Sequence, residues 1–363
     1  MNRTLDIVIV SYNVRYQLEQ CLRSVERASQ GIDVNIWVVD NASSDGTVPY
    51  LRNRFPLVHY IENKDNAGFS RANNQGIRSG KGSYVLLLNP DTIVGEDVLR
   101  GCLQFLEEHP EVGATGVRML HPNGSFAPES RRGLPTPFTS FCKMTGLSTL
   151  FPKSKWFGRY YMRYLNTEEP NPIEVISGAF CMVRRKALNN IGLLDEQFFM
   201  YGEDIDLSYR LLQAGWKNYY LPLTILHYKG ESTVKSTFRY VHVFYNSMLI
   251  FFNKHYSSQY RFLGFFIKVA VYLRALLDMY IRMWDKMCLR IGWHSTPPPI
   301  RYIRFNFDTM SAHEILETLR MQPHKERQVI ETVSKKTGMI IRPGEIKPLA
   351  EESAFPLTDT AEE

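Results

Sequence analysis

The chain has 363 residues, 22% charged and 44% hydrophobic, which suits a full hydrophobic core and excludes disorder along its whole length. Its 23 Gly and 19 Pro follow no period, so collagen-like and low-complexity classes are excluded. The five Cys (Cys21, Cys102, Cys142, Cys181, Cys288) are scattered without a CxxC pair, which points to a reducing compartment rather than a disulfide framework or a zinc site. The net charge of +6 is unevenly spread. Residues 1–234 hold 25 Lys/Arg against 24 Asp/Glu, residues 235–304 hold 11 against 2, and residues 305–363 hold 7 against 11.

In chain order, short apolar runs at Leu5–Val10, Val34–Asp40, Val58–Glu62 and Tyr84–Asn89 read as strands. Amphipathic stretches at Tyr16–Ala28, Val48–Arg54, Phe69–Ser79 and Val98–Glu108 read as helices between and after them. This alternation predicts βαβ units and a mainly parallel sheet, an α/β fold. Residues 121–172 read as a long Pro-rich loop region, of the kind that is usually functional or flexible. Two further strands are predicted at Glu174–Ser177 and Ala179–Val183, and a helix from Asp204 to Gln213 that ends at Gly215. Ala312–Arg320 and Lys325–Thr337 read as short helices, and the acidic tail from Pro343 as disordered.

Polar residues gather just after the strands, where ligands of open α/β sheets bind. Asp40 closes the second strand and leads into Asn41-Ala42-Ser43-Ser44-Asp45-Gly46-Thr47, suited to a base or ribose contact and equally to an ordinary capped turn. Gly68, in Asn66-Ala67-Gly68-Phe69-Ser70-Arg71, sits where a helix starts and a phosphate could approach the backbone; a plain polar helix start fits the same residues. Arg71 supplies a cation suited to phosphate. Asn89-Pro90-Asp91 ends a buried strand on a carboxylate, either a turn residue or one ligand of a divalent ion that a diphosphate would complete. Further on, Gly202-Glu203-Asp204-Ile205-Asp206 places three carboxylates at a helix start, where a general base or a simple cap would sit. Ser177-Gly178-Ala179 allows close backbone approach or a bulge, and His227 is a structural histidine or a metal ligand.

Taken together, these motifs strongly resemble the inverting glycosyltransferases of family 2, with the GT-A fold, over about residues 4–234. The segments that carry the resemblance are Ile9–Asn13, Val39–Thr47, Asn66–Phe69, Asn89–Asp91, Ser177–Phe180, Gly202–Asp206 and His227. Within the family the chain looks like the bacterial rhamnosyltransferases that use dTDP-L-rhamnose to build cell-surface polysaccharide. The resemblance implies that Asp40, with Ser11 and Asn13, lines the base and ribose pocket, and that Asp91 is the metal ligand of the family's DxD motif. Here that motif reads Asn89-Pro90-Asp91, so its first carboxylate is absent. His227 looks like the family's C-terminal metal ligand for Mg²⁺ or Mn²⁺, and Asp204 matches the base of its xED motif with Glu203 beside it. Gly178, Ala179 and Asp206 would face the donor sugar and acceptor, and Asn66, Gly68 and Arg71 the donor nucleotide. The donor would be dTDP-rhamnose or a UDP-sugar, and the acceptor a lipid-linked saccharide. A catalytically inactive nucleotide-binding module is the alternative. A dinucleotide-dependent oxidoreductase is disfavoured because no GxGxxG follows Val10.

The basic block has its own reading. Arg261, Lys268, Arg274, Asp278, Arg282, Asp285, Lys286 and Arg290 share an arc of about 160° on a helical wheel, opposite Phe262, Leu273, Leu276, Tyr280 and Trp284. This fits a basic amphipathic helix on an anionic membrane surface, or a helix packed on protein. No nucleic-acid-binding motif accompanies the charge, so nucleic acid is not an expected partner, while oligomerisation stays open. The first residues carry no signal-peptide core and no apolar run is long enough to span a bilayer. The expectation is a cytoplasmic protein, peripheral at the inner face of the plasma membrane, with its chemistry in residues 1–234, a membrane-associated segment at 235–304 and a tail of short helices at 305–363.

Overall fold

The computed structural model describes residues 4–229, 238–257, 300–322 and 328–349, with scattered positions between 269 and 288. Four β-rich runs of the first ninety residues become parallel strands. β1 (Leu5–Ser11) lies between β2 (Val34–Asp40) and β4 (Tyr84–Leu88), with β3 (His59–Glu62) outside β2. Every residue of β1 and β4 is buried, as expected of strands covered on both faces. Helices α1 (Arg15–Ala28), α2 (Thr47–Arg52) and α3 (Phe69–Ser79) make the crossovers.

Beyond β4 the sheet turns mixed. β5 (Thr92–Val94) and α4 (Val98–Glu108) lead into β6 (Val112–Leu120). β7 (Asn171–Ile173), β8 (Phe180–Arg184), α7 (Arg185–Ile191), α8 (Glu203–Gln213) and β9 (Lys217–His227) follow. The order across the sheet is β3-β2-β1-β4-β8-β6-β9-β5, with β7 on β9. β8 runs antiparallel to both β4 and β6, whereas β6 and β9 are parallel. Two apolar layers cover its faces. One packs Leu18, Leu22 and Val25 of α1 with Leu99 of α4 on Ile7, Ile9 and Leu86. The other packs Ala72 and Ile77 of α3 with Leu207 and Leu211 of α8 on Val8, Val85 and Val183. This is the mixed α/β architecture with a central sheet that the motif order implied.

Residues 121–172 are less bare than the Pro content suggests. Helices α5 (Pro137–Met144) and α6 (Leu147–Leu150) and a 3-10 turn at Phe157–Tyr160 form a small excursion from the sheet. Thr136 caps α5 by accepting from the Thr139 amide at 3.2 Å, with Pro137 at the first helical position. The strand expected at Glu174–Ser177 is displaced to Asn171–Ile173, and Val175 keeps only a single bridge to Arg132. The reason is local: the Glu174 carboxylate accepts from the Leu134 amide at 2.6 Å and pairs with Arg159, which pulls this stretch off the sheet.

The C-terminal part departs further from expectation. The described residues of the expected helix Lys325–Thr337 form no helix: β11 (Gln328–Ser334) runs there, between β10 (Arg301–Asn306) and β12 (Met339–Arg342). β13 (Glu345–Pro348) follows, so the tail from Pro343 begins as an ordered hairpin strand. The β-branched residues Val329, Ile330, Thr332 and Val333 suit a strand, and the charges around them masked that preference. Helix α10 (Ala312–Met321) forms as expected, capped by Ser311 accepting from the Glu314 amide at 3.0 Å. Its Ile315, Leu316 and Leu319 pack with Phe305, Phe307 and Ile330 on Ile93, Leu120 and Leu226 of the main sheet.

Between these parts lies α9 (Phe238–His255). Among the described residues no helix is long and apolar enough to cross a membrane. Apart from Arg274, the charged arc predicted at 261–290 lies outside the described residues, and the described Leu273, Leu276, Tyr280 and Trp284 are exposed.

Candidate functional site

The site grows from strand ends. Parallel pairing of β1 with β2 sets Ser11 opposite Asp40, so the first two motifs meet at one sheet edge. Asp40 is buried, and burial raises its carboxyl above the ordinary range, partly offset by hydrogen bonds from Ser43. Those bonds come from the Ser43 amide at 2.8 Å and its hydroxyl at 2.6 Å. Asn13 stitches the two turns together: its amide donates to Ser43 Oγ at 2.9 Å and its side chain accepts from the Ser44 amide at 2.7 Å. Ser11 Oγ is buried without a hydrogen-bond partner, a donor left pointing at the same corner.

Gly68 begins α3 at φ +84°. A Cβ there would lie 2.7 Å from the Phe199 carbonyl oxygen and ring, so only glycine fits. The Gly68 amide donates to Asn66 Oδ1 at 3.0 Å, and the Phe69 amide donates to Phe199 O at 2.7 Å. Asn66 and Gly68 thus tie the helix start to the segment before the carboxylate motif. Arg71 stands exposed on the next turn, with its charge acting on Glu196. Gly68→Ala is expected to destabilise the fold by about 3 kcal/mol, from the left-handed backbone and the clash together. Chemical denaturation measures it, and an unchanged midpoint would contradict the contact.

The metal-type residues are joined by the sheet rather than by sequence. Antiparallel pairing of β5 with β9 sets Thr92 opposite His227. Asp91 Oδ1 then lies 3.3 Å from His227 Nε2, and Asn89 Nδ2 lies 3.2 Å from the same nitrogen. Among the described residues no group of three or more His, Cys, Asp or Glu is arranged to hold a metal ion. The pair is a half shell of one oxygen and one nitrogen donor. It fits an ion that takes its other ligands from phosphate oxygens and water.

The carboxylate motif reaches the same edge. Tyr201 and Gly202 both take positive φ, +68° and +87°, which turns the chain sharply into α8. Among the described residues five non-glycine positions have positive φ, and four of them, Asn13, Ala42, Tyr201 and Lys229, lie in or beside these motifs. Strained backbone concentrated in this way marks a functional site. The Gly178 amide donates to Asp204 Oδ2 at 3.3 Å, and the Asn89 amide donates to Ala179 O at 3.0 Å. One short strand end therefore links Asp204 to Asn89 and so to the Asp91–His227 pair. Glu203 is buried, with Oε2 lacking a partner. Burial and then the neighbouring Asp204 push its carboxyl well above the ordinary range.

Two residues change the expected picture. Arg132, from the Pro-rich region, forms an ion pair with Asp204 and fixes the orientation of that carboxylate. Sequence reasoning missed it; the Arg131-Arg132 pair in a stretch without acids was the available signal. Asp206, expected at the donor sugar or acceptor, points away from Gly178. It is fully buried and bonded to Arg210 at 2.8 Å, Lys254 at 2.8 Å and His255 at 2.7 Å. Successive carboxylates on a helix face different ways, and Asp206 lands on the side where α9 docks.

Burial alone would raise the Asp206 carboxyl, but bonds from His255, Lys254 and Arg210 bring it down to about 2. A carboxyl lowered from its ordinary 3.8 contributes stability that is complete above that value and is lost as pH falls toward 2. Asp206→Asn should cost about 2 kcal/mol at pH 7, less than a fully buried pair because Lys254 and Arg210 keep some solvent contact. It should also flatten the acid limb of stability against pH; an unchanged limb would contradict the clamp.

Comparison with known proteins bears on the family of the chain. The family model described as "Glycosyl transferase family 2" matches residues 6–192. An N-acetylglucosaminyl-diphospho-decaprenol L-rhamnosyltransferase of Mycobacterium tuberculosis is 30% identical over 273 residues, covering 72% of this chain and 88% of the relative. A low-salt glycan biosynthesis hexosyltransferase of Haloferax volcanii is 27% identical, covering 57% of this chain and 61% of the relative. The crystal structure of S. aureus TarS 1–349 aligns with a TM-score of 0.44 at 16% identity, over 68% of this chain and 64% of that one. With the family model spanning over half of its residues, this chain belongs to glycosyltransferase family 2 and is a glycosyltransferase.

Proposed function

We propose that the protein transfers a sugar, most simply L-rhamnose from dTDP-L-rhamnose, to a hydroxyl of a lipid-linked saccharide in cell-envelope glycan synthesis. The rhamnosyl donor is supported by the name of the mycobacterial relative; a UDP-sugar donor is the second reading. The observation that carries the reaction class is the chain of hydrogen bonds from Asp204 through Gly178, Ala179 and Asn89 to the Asp91–His227 pair. It supports a reading in which a base and a diphosphate-binding pair lie on either side of one strand end.

In this reading Asp40, Ser11 and Asn13 hold the nucleoside, with the Ser11 hydroxyl finding its missing partner there. Asn66, Gly68 and Arg71 approach the diphosphate. Asp91 and His227 would hold Mg²⁺ or Mn²⁺, which neutralises charge on the leaving diphosphate. Gly178 and Ala179 offer backbone to the donor sugar. Asp204 removes the proton of the acceptor hydroxyl, whose oxygen forms a bond to the anomeric carbon as the bond to the diphosphate oxygen breaks. The electron pair leaves with the nucleotide diphosphate, and a single displacement inverts the anomeric centre. Glu203, buried beside Asp204, orients the acceptor or Asp204 itself. The chemistry is assigned to residues 1–234, working at the inner face of the plasma membrane.

The test is a donor panel. The protein with Mn²⁺ or Mg²⁺ and a lipid-linked saccharide should release dTDP from dTDP-rhamnose faster than UDP from UDP-sugars. Faster release from a UDP-sugar would replace the donor, and no release from any donor would favour an inactive nucleotide-binding module.

A further inference from the structure

The apparently neutral region 1–234 conceals a strongly polar distribution of charge. Between residues 130 and 167 there are seven Lys/Arg and no Asp or Glu. Arg131 is buried, Arg132 pairs with Asp204 and Arg159 pairs with Glu174. Lys153, Lys155 and Arg163 face solvent.

The same excursion is unusually apolar at its surface. Trp156 is 76% exposed, Leu150 71%, Phe141 56% and Phe138 51%. Such a grouping on α5, α6 and the turn after them exceeds the scattered exposed apolar residues of an ordinary surface. Tryptophan and other bulky apolar groups beside lysines are the composition of a membrane-interface contact. The apolar groups enter the headgroup boundary while the ammonium groups meet lipid phosphates.

The excursion is also rigidly joined to the site. The Gly133 amide donates to Tyr160 O at 3.1 Å, and Gly133 packs so closely on the Arg159 carbonyl that a Cβ would collide with it. Arg132, the next residue, reaches Asp204. The Tyr160 phenol lies within the electrostatic reach of both Arg132 and Asp204.

We propose that residues 137–160 form a foot that docks on an anionic bilayer and so holds the Asp204 side of the site at the lipid–water boundary. The occupant is the bilayer interface itself, as the one-signed charge requires. The docking needs neither donor nor acceptor and is separate from the basic segment after α9. Resting on the lipid-linked acceptor proposed above, this gives a reason for an apolar, acid-free excursion beside Asp204 in this chain: a saccharide on a lipid carrier projects only a short way from the membrane.

Co-sedimentation of the full chain with vesicles of phosphatidylcholine and phosphatidylglycerol tests this, with pure phosphatidylcholine as the comparison. Lys153→Gln/Lys155→Gln should weaken binding to the anionic vesicles about fivefold per lysine removed. Leu150→Asp/Trp156→Asp should weaken it by about tenfold or more. Both pairs are at the surface, so the thermal midpoint should stay put. Unchanged binding of both variants would overturn the proposal and leave the 261–290 segment as the membrane contact. A self-associating parent made monomeric by Leu150→Asp/Trp156→Asp, with no change on vesicles, would overturn it in favour of a second copy of the chain as occupant.

Discussion

Asp204→Asn is expected to lower turnover about 10²–10⁴-fold, the usual contribution of a positioned general base. Donor affinity should change little, because Asp204 is held by Gly178 and Arg132 and the nucleoside is assigned to the Ser11–Asp40 corner. Initial rates of dTDP release and calorimetric binding of dTDP-rhamnose separate the two effects. The amide keeps the shape and loses the basic oxygen, so a folded, donor-binding, inactive protein is the predicted result. Turnover within a few-fold of the parent would remove Asp204 from this role. Arg132→Ala makes a useful partner experiment. It releases the carboxylate from its anchor and should lower kcat more than it alters donor binding, since positioning matters to the reacting geometry.

The second large effect concerns Asp91 and His227. Removing either, as Asp91→Asn or His227→Ala, should raise the Mn²⁺ concentration needed for half-maximal rate at least 10-fold. Even groups one step removed from a metal cost that much. Because among the described residues Asp91 and His227 are the two such donors that converge there, the ion should bind weakly to the free protein and far better with dTDP present. Titration of Mn²⁺ by electron paramagnetic resonance, with and without dTDP, reads this without any catalysis. Equal Mn²⁺ binding by the parent and both variants would remove the pair as ligands.

The structure also sharpens the roles of the three clustered acids. Asp204 and Glu203 face the glycine strand end, but Asp206 holds α9 against α8. All three sit within one helical turn, and their composition is identical to that of a simple capped helix. Only the rotation of the helix against its neighbours separates the proposed base from a buried clamp. The same holds for Asn89. It is read as the missing half of a metal motif, yet its side chain touches His227 Nε2 and its backbone ties to Ala179.

The N-terminal half of the fold was legible because its signals are local. Apolar runs of the right length and amphipathic stretches of helical period yielded β1, β2, β3, β4 and their crossover helices with boundaries close to those observed. β5 is three residues long and β9 contains Pro222 with only a partial period, so neither announces itself. The helix expected over Lys325–Thr337 failed for the converse reason. Interspersed charges hid the β-branched residues of a strand that exists because it pairs with β10 and β12.

By itself, then, the sequence determined the family, the sheet's parallel core and the short list of polar strand ends, because order and spacing of motifs survive without coordinates. The pairing of Asp91 with His227 was decided by tertiary structure, since it depends on β5 lying beside β9 in one register. So was the capture of Asp204 by Arg132, which needs the Pro-rich excursion folded back on the site. The +6 charge shows the same division. Its sum, its three-part split and the acid-free stretch at 130–167 are readable from composition, but which of that stretch's basic groups face solvent was decided only once folding had separated paired arginines from exposed lysines. Net charge adds along a chain, whereas the field a partner meets depends on which charges are neutralised by contacts that only the folded state makes.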